Sequence, residues 1–439
     1  MLSSQAARRD GLLLLLLGGI VFVIFGAALE RVAPAPMVDF RVLYFPARCL
    51  MQHCDPYNQD DVLRVYRAEG VYDSSDSAKD RQIVTQYIYP PTAFSITVPF
   101  ALLPWVPAEV LWTLLTVTAL ILASWLVWTL GANYAPILSG CFIGFMLANS
   151  ELLVIKGMSA GIAISLCAVA VWCFDRERFI AAGVLCLAVS LALKPQDTGF
   201  VWLYLLLAGG IFRKRALQAL VTTIAISLPS ILWVWRVSPH WTQELHANLV
   251  ANAVHGGLSD PGLASTGAHG LGMVISLQAF ISVFWDDPRI YDPASLLICG
   301  AILLLLAVVT LRSRRTPARA WLALAAISAL TMLPVYHRQY DAKLLLLSVP
   351  ACAMLWAEGG LVRWVAALLN SAAFVVTGDL STAFYLHLVT NLHPSTGWAS
   401  TLQTYLQVLP ASLTLLAMSL FYLWAYMRRS AHSSESVTT

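Results

Sequence analysis

Long apolar runs dominate this sequence and limit what it can fold into. Runs of about 20 mostly apolar residues, the length that an α-helix needs to cross a bilayer, recur from 12–29 to 405–427. Of the 439 residues, 59% are hydrophobic and only 12% are charged, and the mean hydropathy is +0.71. A water-soluble domain carries about 25% charged residues. The pattern therefore predicts an all-α polytopic membrane protein.

Short basic clusters between the apolar runs indicate the orientation. They are Arg8, Arg9, Arg176, Arg178, 213–215, 312–319, Arg363, Arg428 and Arg429. All of them fall on one side if the helices alternate, and such clusters mark the cytoplasmic side. Both termini then lie inside, which requires an even number of crossings, and about 12 transmembrane helices fit best. The four runs within 92–174 must supply an odd number, so 137–155 or 92–103 is expected to be re-entrant.

The same pattern divides the chain into segments. We predict a cytoplasmic N-terminus with the first transmembrane helix (1–30), a long extracytoplasmic loop (31–91), a multi-helix bundle (92–427) and a cytoplasmic tail (428–439). Within the bundle, 236–293 and 378–403 are predicted extracytoplasmic loops, and the short apolar run 271–285 is expected to lie along the surface. The first apolar run is longer than the core of a typical signal peptide. We therefore interpret it as a membrane anchor, although cleavage is the alternative.

The loop 31–91 is the one long polar segment among these runs. It holds eight acidic and seven basic residues, so it is not a basic arm for nucleic acid or lipid headgroups. Aromatic residues alternate with carboxylates, which suits a folded surface that binds a sugar better than a solvated linker. The loop also contains Cys49 and Cys54, which form a disulfide if the compartment is oxidising or are simply two small residues on a helix. The eight cysteines show no metal-binding spacing.

Ionisable residues near the predicted helix ends are candidates for a functional site, because charge is costly inside a membrane. They are Asp39, Glu151, Lys156, Lys194, Asp197, His337, Arg338, Asp341 and Lys343. Each has an ordinary interpretation: the isolated cations could snorkel to the interface, Glu151 and Lys156 could form a structural pair, and Asp39 could cap a helix. Their convergence on one face favours function. One carboxylate can deprotonate a hydroxyl while cations stabilise a phosphate leaving group.

Several short motifs, taken in order, resemble glycosyltransferase family 87. They are Asp39-Phe40 with Tyr44 and Ala47, Asp55-Pro56-Tyr57, Tyr89-Pro90-Pro91, Leu193-Lys194-Pro195-Gln196, and the segment 337–341. The resemblance extends over most of the chain, from about Asp39 to Pro350. It implies a multi-pass GT-C helix bundle related to the α-1,2-mannosyltransferases and arabinofuranosyltransferases of the bacterial cell envelope. Such enzymes take their sugar from a polyprenyl phosphate.

The resemblance also implies roles for particular residues. Asp39 would be the general base of an inverting transfer of mannose or a pentose to an extracytoplasmic glycan or lipid-linked acceptor. Substrate-binding candidates are Arg41, Tyr44, Tyr57, Tyr89, Lys194, His337, Arg338 and Asp341. Among them Lys194 and Arg338, assisted by His337, are the predicted clamp for the donor phosphate. No cofactor is expected, a divalent metal is not indicated, and nucleic acid is not a partner. The expected location is the plasma (inner) membrane, with the active site on the extracytoplasmic face.

Two other classes of protein stay open at this point. A transporter or flippase of lipid-linked sugars would be equally apolar, but such proteins tend to show internal repeats and broken helices that meet near the midplane. Here the unusual residues collect at one surface. A non-catalytic membrane scaffold would not need Asp39 or the clustered cations.

Overall fold

The computed structural model describes residues 5–33, 36–70, 80–81, 84, 86–257, 259–263, 274–313, 316–390 and 398–435. Its α-helices are α1 (Gln5–Val32), α2 (Val38–Met51), α3 (Gln59–Ala68), α4 (Phe94–Ala101), α5 (Trp105–Gly131), α6 (Pro136–Leu147), α7 (Leu152–Ile155), α8 (Ser159–Asp175), α9 (Ile180–Leu193), α10 (Pro195–Leu207), α11 (Gly210–Val237), α12 (Trp241–Asn252), α13 (Leu277–Ser282), α14 (Pro288–Arg312), α15 (Pro317–Leu330), α16 (Val349–Glu358), α17 (Gly360–Thr377), α18 (Asp379–Thr390) and α19 (Trp398–Glu435). Short 3-10 segments precede α4 and α16, at Pro91–Ala93 and Gln339–Ser348. The described part contains no β-strand beyond one isolated bridge.

Eight segments of the described chain are long and apolar enough to cross a membrane. They are Gln5–Val32, Trp105–Gly131, Pro136–Ile155, Gly210–Val237, Pro288–Arg312, Gln339–Glu358, Gly360–Thr377 and Leu402–Arg429. The apolar helices α8, α9 and α15 are shorter. The prediction of an all-α polytopic membrane protein is therefore confirmed, whereas the number of twelve crossings stays a prediction. Of the runs between 92 and 174, the first forms only α4, whose eight residues rise about 12 Å and cannot span.

The predicted loops contain helices. The segment 31–91 holds α2 and α3. The segment 236–293 holds α12, α13 and the beginning of α14, and 378–403 holds α18 and the beginning of α19. Residues 71–79 of the first loop lie outside the described residues. In the described part of the run 271–285 the helix α13 has six residues and is too short to span, and its placement along the membrane surface stays a prediction. Leu277 and Ile281 of α13 are buried in the protein, because α13 packs between α14 and α19.

Glycines set the packing of the first helix. Leu13, Leu17 and other large residues of α1 are exposed, as expected for a face in contact with lipid tails. Gly11 and Gly18 are buried against α6, where an added Cβ would collide with backbone atoms. Small residues at such positions let membrane helices approach closely. This contact holds α1 against α6, whose chain continues toward the candidate site.

The centre of the bundle is α15 together with the 3-10 segment Gln339–Ser348. All twelve residues from Arg319 to Leu330 are buried, and so is the whole of Gln339–Ser348. A helix that is apolar on every face belongs inside a bundle. The chain between these two elements, residues 331–338, therefore ends a fully enclosed helix and delivers His337 and Arg338 to one end of the bundle.

Candidate active site

The N-terminus of α2 is docked on the turn that follows α7. Met37 donates its backbone N–H to the carbonyl of Ile155 at 2.7 Å, and Asp39 donates to the carbonyl of Lys156 at 2.9 Å. Gly157 has a φ of 66°, and a Cβ there would meet Phe40 at 2.7 Å, so only glycine allows this approach. The first turn of α2 is thereby fixed beside the α7–α8 connection.

Asp39 lies in this first turn and is partly exposed. Its carboxylate makes neither a hydrogen bond nor an ion pair with any residue that the structure describes. Burial raises its pKa above the ordinary value, and the positive charges of Lys156, Arg338 and Lys194 oppose that rise. A helix N-terminus favours negative charge. Asp39 is thus a carboxylate held among cations with its oxygens available, as a general base requires.

Lys156 and Arg338 are the partly exposed cations beside Asp39, and we call these three residues the open cluster. Arg338 donates from Nε to the hydroxyl of Tyr336. The ammonium of Lys156 has no hydrogen bond or ion pair within the described ranges. The predicted structural pair of Lys156 with Glu151 is not formed, since Glu151 is buried near Asp379 and Lys343 instead. An ammonium placed in this way is suited to bind an anion.

Lys194, Asp197, His337 and Asp341 form a second group, the buried cluster. The Lys194 ammonium lies 3.1 Å from Asp197 and donates a hydrogen bond to Asp341. All four residues are less than a tenth exposed. Snorkelling is therefore the wrong interpretation of Lys194. Asp341 also accepts from the backbone N–H of Arg338 at 3.0 Å, so the buried cluster positions one member of the open cluster.

His337 links the buried cluster to the backbone. Its Nδ1 lies 3.0 Å from the carbonyl of Val335, which can only accept, so Nδ1 carries a proton. Its Nε2 lies 3.4 Å from Asp197. The backbone carbonyl of His337 accepts from Ile275 at 3.0 Å. His337 thus fixes the segment that leads to Arg338.

Three side chains of the buried cluster have the spacing of a metal site. Asp197, His337 and Asp341 each offer one ligand atom, and these atoms lie within 4.8 Å of one another. The ammonium of Lys194 already pairs with both carboxylates. A divalent cation there would compete with a cation that the chain itself provides.

A third group, the Lys343 cluster, holds the chain before the α7–α8 connection. Lys343 is buried and pairs with Asp379 at 3.0 Å, and it also donates to the carbonyl of Asn149. Asp379 in turn accepts from the N–H of Leu152 at 2.8 Å. For Lys343, too, snorkelling is wrong. These bonds fix the beginning of α7 and hence the turn that carries Lys156.

The predicted tyrosines are placed differently from one another. Tyr44 donates to the carbonyl of Leu103 at 2.8 Å, and Tyr57 donates to the carbonyl of Tyr89 at 3.0 Å; both are buried. Tyr89 lies closer to the candidate site. It is 3.3 Å from Ser159 through its hydroxyl, and burial raises its pKa to about 12, against the charge of Lys194.

Two further residues of α2 and the chain after it have clear local roles. Arg41 is buried, and its guanidinium lies 5.7 Å from the ring centre of Trp105. Asp55 accepts a hydrogen bond from the N–H of Tyr57 at 2.9 Å, which closes a turn at Pro56. Cys49 and Cys54, whose Cα atoms are 5.0 Å apart, form a disulfide. Together these contacts order the segment that follows Asp39.

The apolar spans define a polytopic membrane protein, and the open and buried clusters form its candidate site. The family model of glycosyltransferase family 87 matches residues 87–335, more than half of the chain. The protein belongs to glycosyltransferase family 87, and it is a multi-pass membrane glycosyltransferase. The matched range contains Tyr89, Lys156 and Lys194, while Asp39 and the segment 337–341 lie on either side of it. No curated protein and no solved structure matched the chain.

The sequence did not reveal that Lys156 lies beside Asp39 in the open cluster. Its nearest acidic neighbours in the sequence suggested a local pair, whereas its position depends on the docking of α2. The signal available in the sequence was Gly157, because a glycine directly after a charged residue at a helix break permits a close approach of another backbone.

Proposed function

We propose that the protein transfers a sugar, mannose or a pentose, from a polyprenyl-phosphate donor to an extracytoplasmic glycan or lipid-linked acceptor. Asp39 takes the proton from the acceptor hydroxyl as its oxygen attacks the anomeric carbon. The bond from that carbon to the phosphate oxygen breaks, and the polyprenyl phosphate leaves with the electron pair. A single carboxylate without a covalent intermediate gives inversion, so a β-linked donor yields an α-linked product.

The observation that carries this proposal is that the open cluster combines a carboxylate, unpaired among the described residues, with neighbouring positive charges. A carboxylate without a described partner lies in the field of Lys156, Arg338 and Lys194. The base is therefore available, and positive charge stands next to it where a phosphate develops charge. Because Lys194 is engaged with two carboxylates, we propose that Lys156 and Arg338 contact the phosphate and that Lys194 positions Arg338.

Two features support the extracytoplasmic face. Arg213 and Lys214 lie near the first residues of α11, whereas Ser230, further along the same helix, bonds to Pro91, close in the chain to Tyr89. Basic residues at the helix end away from the candidate site fit a cytoplasmic placement. The disulfide of Cys49 and Cys54 lies in the segment with Asp39, and disulfides persist in oxidising compartments. A lipid-borne donor supplies an activated sugar on that face.

In vitro transfer with a panel of polyprenyl-phosphate sugars tests the proposal. The purified full-length protein is assayed with polyprenyl-phosphate mannose, arabinose and glucose, with water or a glycan lipid as acceptor. We expect one sugar to be transferred with inversion. Activity with a nucleotide sugar, and with none of the lipid-linked sugars, would contradict the proposed class of donor. Movement of the intact donor across the bilayer without sugar transfer would favour a flippase.

A further inference from the structure

A groove lies between α9 and α11, away from the open cluster. Its volume is about 890 Å³. Val184 and Leu185 of α9 and Leu217 and Val221 of α11 line its walls, and Val221 is 65% exposed. Both helices are apolar, so this groove opens toward the lipid.

Two cations lie at one end of the groove. Arg213 and Lys214 line it, and both are exposed. Arg213 donates from Nε to the carbonyl of Leu206 at 3.1 Å, which orients its guanidinium. Arg215, the next basic residue, points into the protein instead and donates to the carbonyl of Phe174 at 2.8 Å. The groove thus combines apolar walls with a positively charged end.

The dimensions match one leaflet of a bilayer. The lining residues of α11 run from Gly210 to Thr222, a rise of about 18 Å. The hydrocarbon core of a bilayer is about 30 Å thick, so one leaflet fills about half of that. A Cβ added at Gly210 would meet nothing within 4 Å, which leaves room beside the cations for a headgroup.

We propose that this groove binds an anionic phospholipid, with its phosphate on Arg213 and Lys214 and an acyl chain between α9 and α11. Charge complementarity selects the anionic lipid, since basic sites between membrane helices on the cytoplasmic side bind such headgroups. A zwitterionic lipid also has a phosphate, but its own ammonium group offsets that charge, so it brings no net negative charge to the two cations.

This lipid differs from the sugar donor by position. Thr92 donates to the carbonyl of Ala192 at 2.7 Å, and Ser230 donates to that of Pro91 at 2.9 Å. These bonds tie the far part of α9, next to Lys194, and the far part of α11 to the same 3-10 segment, Pro91–Ala93. The lipid therefore stabilises the helix pair from the end opposite to the chemistry, and the inference does not depend on the proposed reaction.

Native mass spectrometry of the full-length protein tests this. Phosphatidylglycerol and phosphatidylcholine of equal chain length are titrated onto the delipidated protein. We expect phosphatidylglycerol to bind more tightly. The affinity of the variant Arg213→Gln/Lys214→Gln for phosphatidylglycerol should fall about thirtyfold, as the removal of two cations at a lipid surface implies. The charge-matched control Arg9→Gln/Arg312→Gln should keep it.

A second pair of variants tests the walls. Val221→Trp fills the groove and should weaken phosphatidylglycerol binding, whereas Leu297→Trp, at a 74% exposed position on α14, should not. Equal affinity for the two lipids in the wild type would overturn the proposal. Equal losses in the Arg213/Lys214 variant and its charge-matched control would do the same, because they would mean that only overall surface charge matters.

Discussion

The open cluster and the buried cluster are neighbours, but they differ in the pairing and the exposure of their charged side chains. In the buried cluster, Lys194 pairs with Asp197 and Asp341, and all three residues are less than a tenth exposed. In the open cluster, Asp39 and Lys156 are partly exposed and have no partner among the described residues. Breaking a buried pair leaves an uncompensated charge, whereas removing a partly exposed charge leaves the fold intact. The difference indicates that one cluster serves stability and positioning and the other serves chemistry.

The largest effect on stability is expected from Lys194→Met. It leaves Asp197 and Asp341 buried without their cation, at a cost of about 3–5 kcal/mol. Thermal unfolding in detergent, followed by circular dichroism, measures this. The double variant Lys194→Met/Asp341→Asn should recover part of the loss. An unfolding midpoint equal to that of the wild type would mean that Lys194 is not part of a stabilising cluster.

Lys156→Gln and Arg338→Gln should affect donor use more than stability. Each removes one positive charge from the phosphate, and hydrogen bonds to charged groups contribute about 1.5–3 kcal/mol, so kcat/KM for the donor should fall about 10- to 100-fold. Unfolding should change little for Lys156→Gln. Arg312→Gln, an exposed cation on α14, is the control. Unchanged donor kinetics in both variants would exclude the open cluster as the phosphate site.

The pH dependence gives a smaller and more specific effect. Burial raises the pKa of Asp39, and a base works only when deprotonated, so the rate should fall, as the pH is lowered, at a higher pH than the ordinary aspartate value of about 3.9 predicts. Lys156 opposes this rise in pKa. Lys156→Gln should therefore move the acid limb of kcat/KM to still higher pH. A shift toward lower pH would contradict the proposed geometry.

The smallest effect is expected from chelation. Lys194 already supplies the cation between Asp197 and Asp341, so treatment with EDTA should leave the transfer rate unchanged. Restoration of a lost rate by one divalent metal would instead assign the spacing of Asp197, His337 and Asp341 to a metal site.

Hydropathy predicted most of the membrane helices, because the length and composition of each run are local properties. The helices within the segments that we expected to be loops were missed. In α2 the buried residues occur on all faces and Pro46 lies inside the helix, so no amphipathic period marks it. The sequence also showed that Lys194 and Asp341 occur near helix ends. Their pairing, over 147 positions, depends on the packing of the bundle, which no local pattern contains.

The same limit applies to Asp39 and Lys343. Their sequence neighbourhoods look alike, with a charge near the end of an apolar run. Only the fold gives Lys343 the partner Asp379 and leaves Asp39 facing the cations. The family motifs supplied the expectation for Asp39, and the arrangement of neighbouring charges supplies the physical reason.

The most direct test compares Asp39→Asn with Asp379→Asn, measuring single-turnover transfer and thermal unfolding for both variants. Asp39→Asn should unfold like the wild type and lose about 10²–10⁴-fold in rate, the usual contribution of a general base. Asp379→Asn should lower the unfolding midpoint, because Lys343 stays buried without its carboxylate. Near-normal turnover in Asp39→Asn, with loss of transfer in Asp55→Asn or Asp341→Asn, would show that another carboxylate is the base.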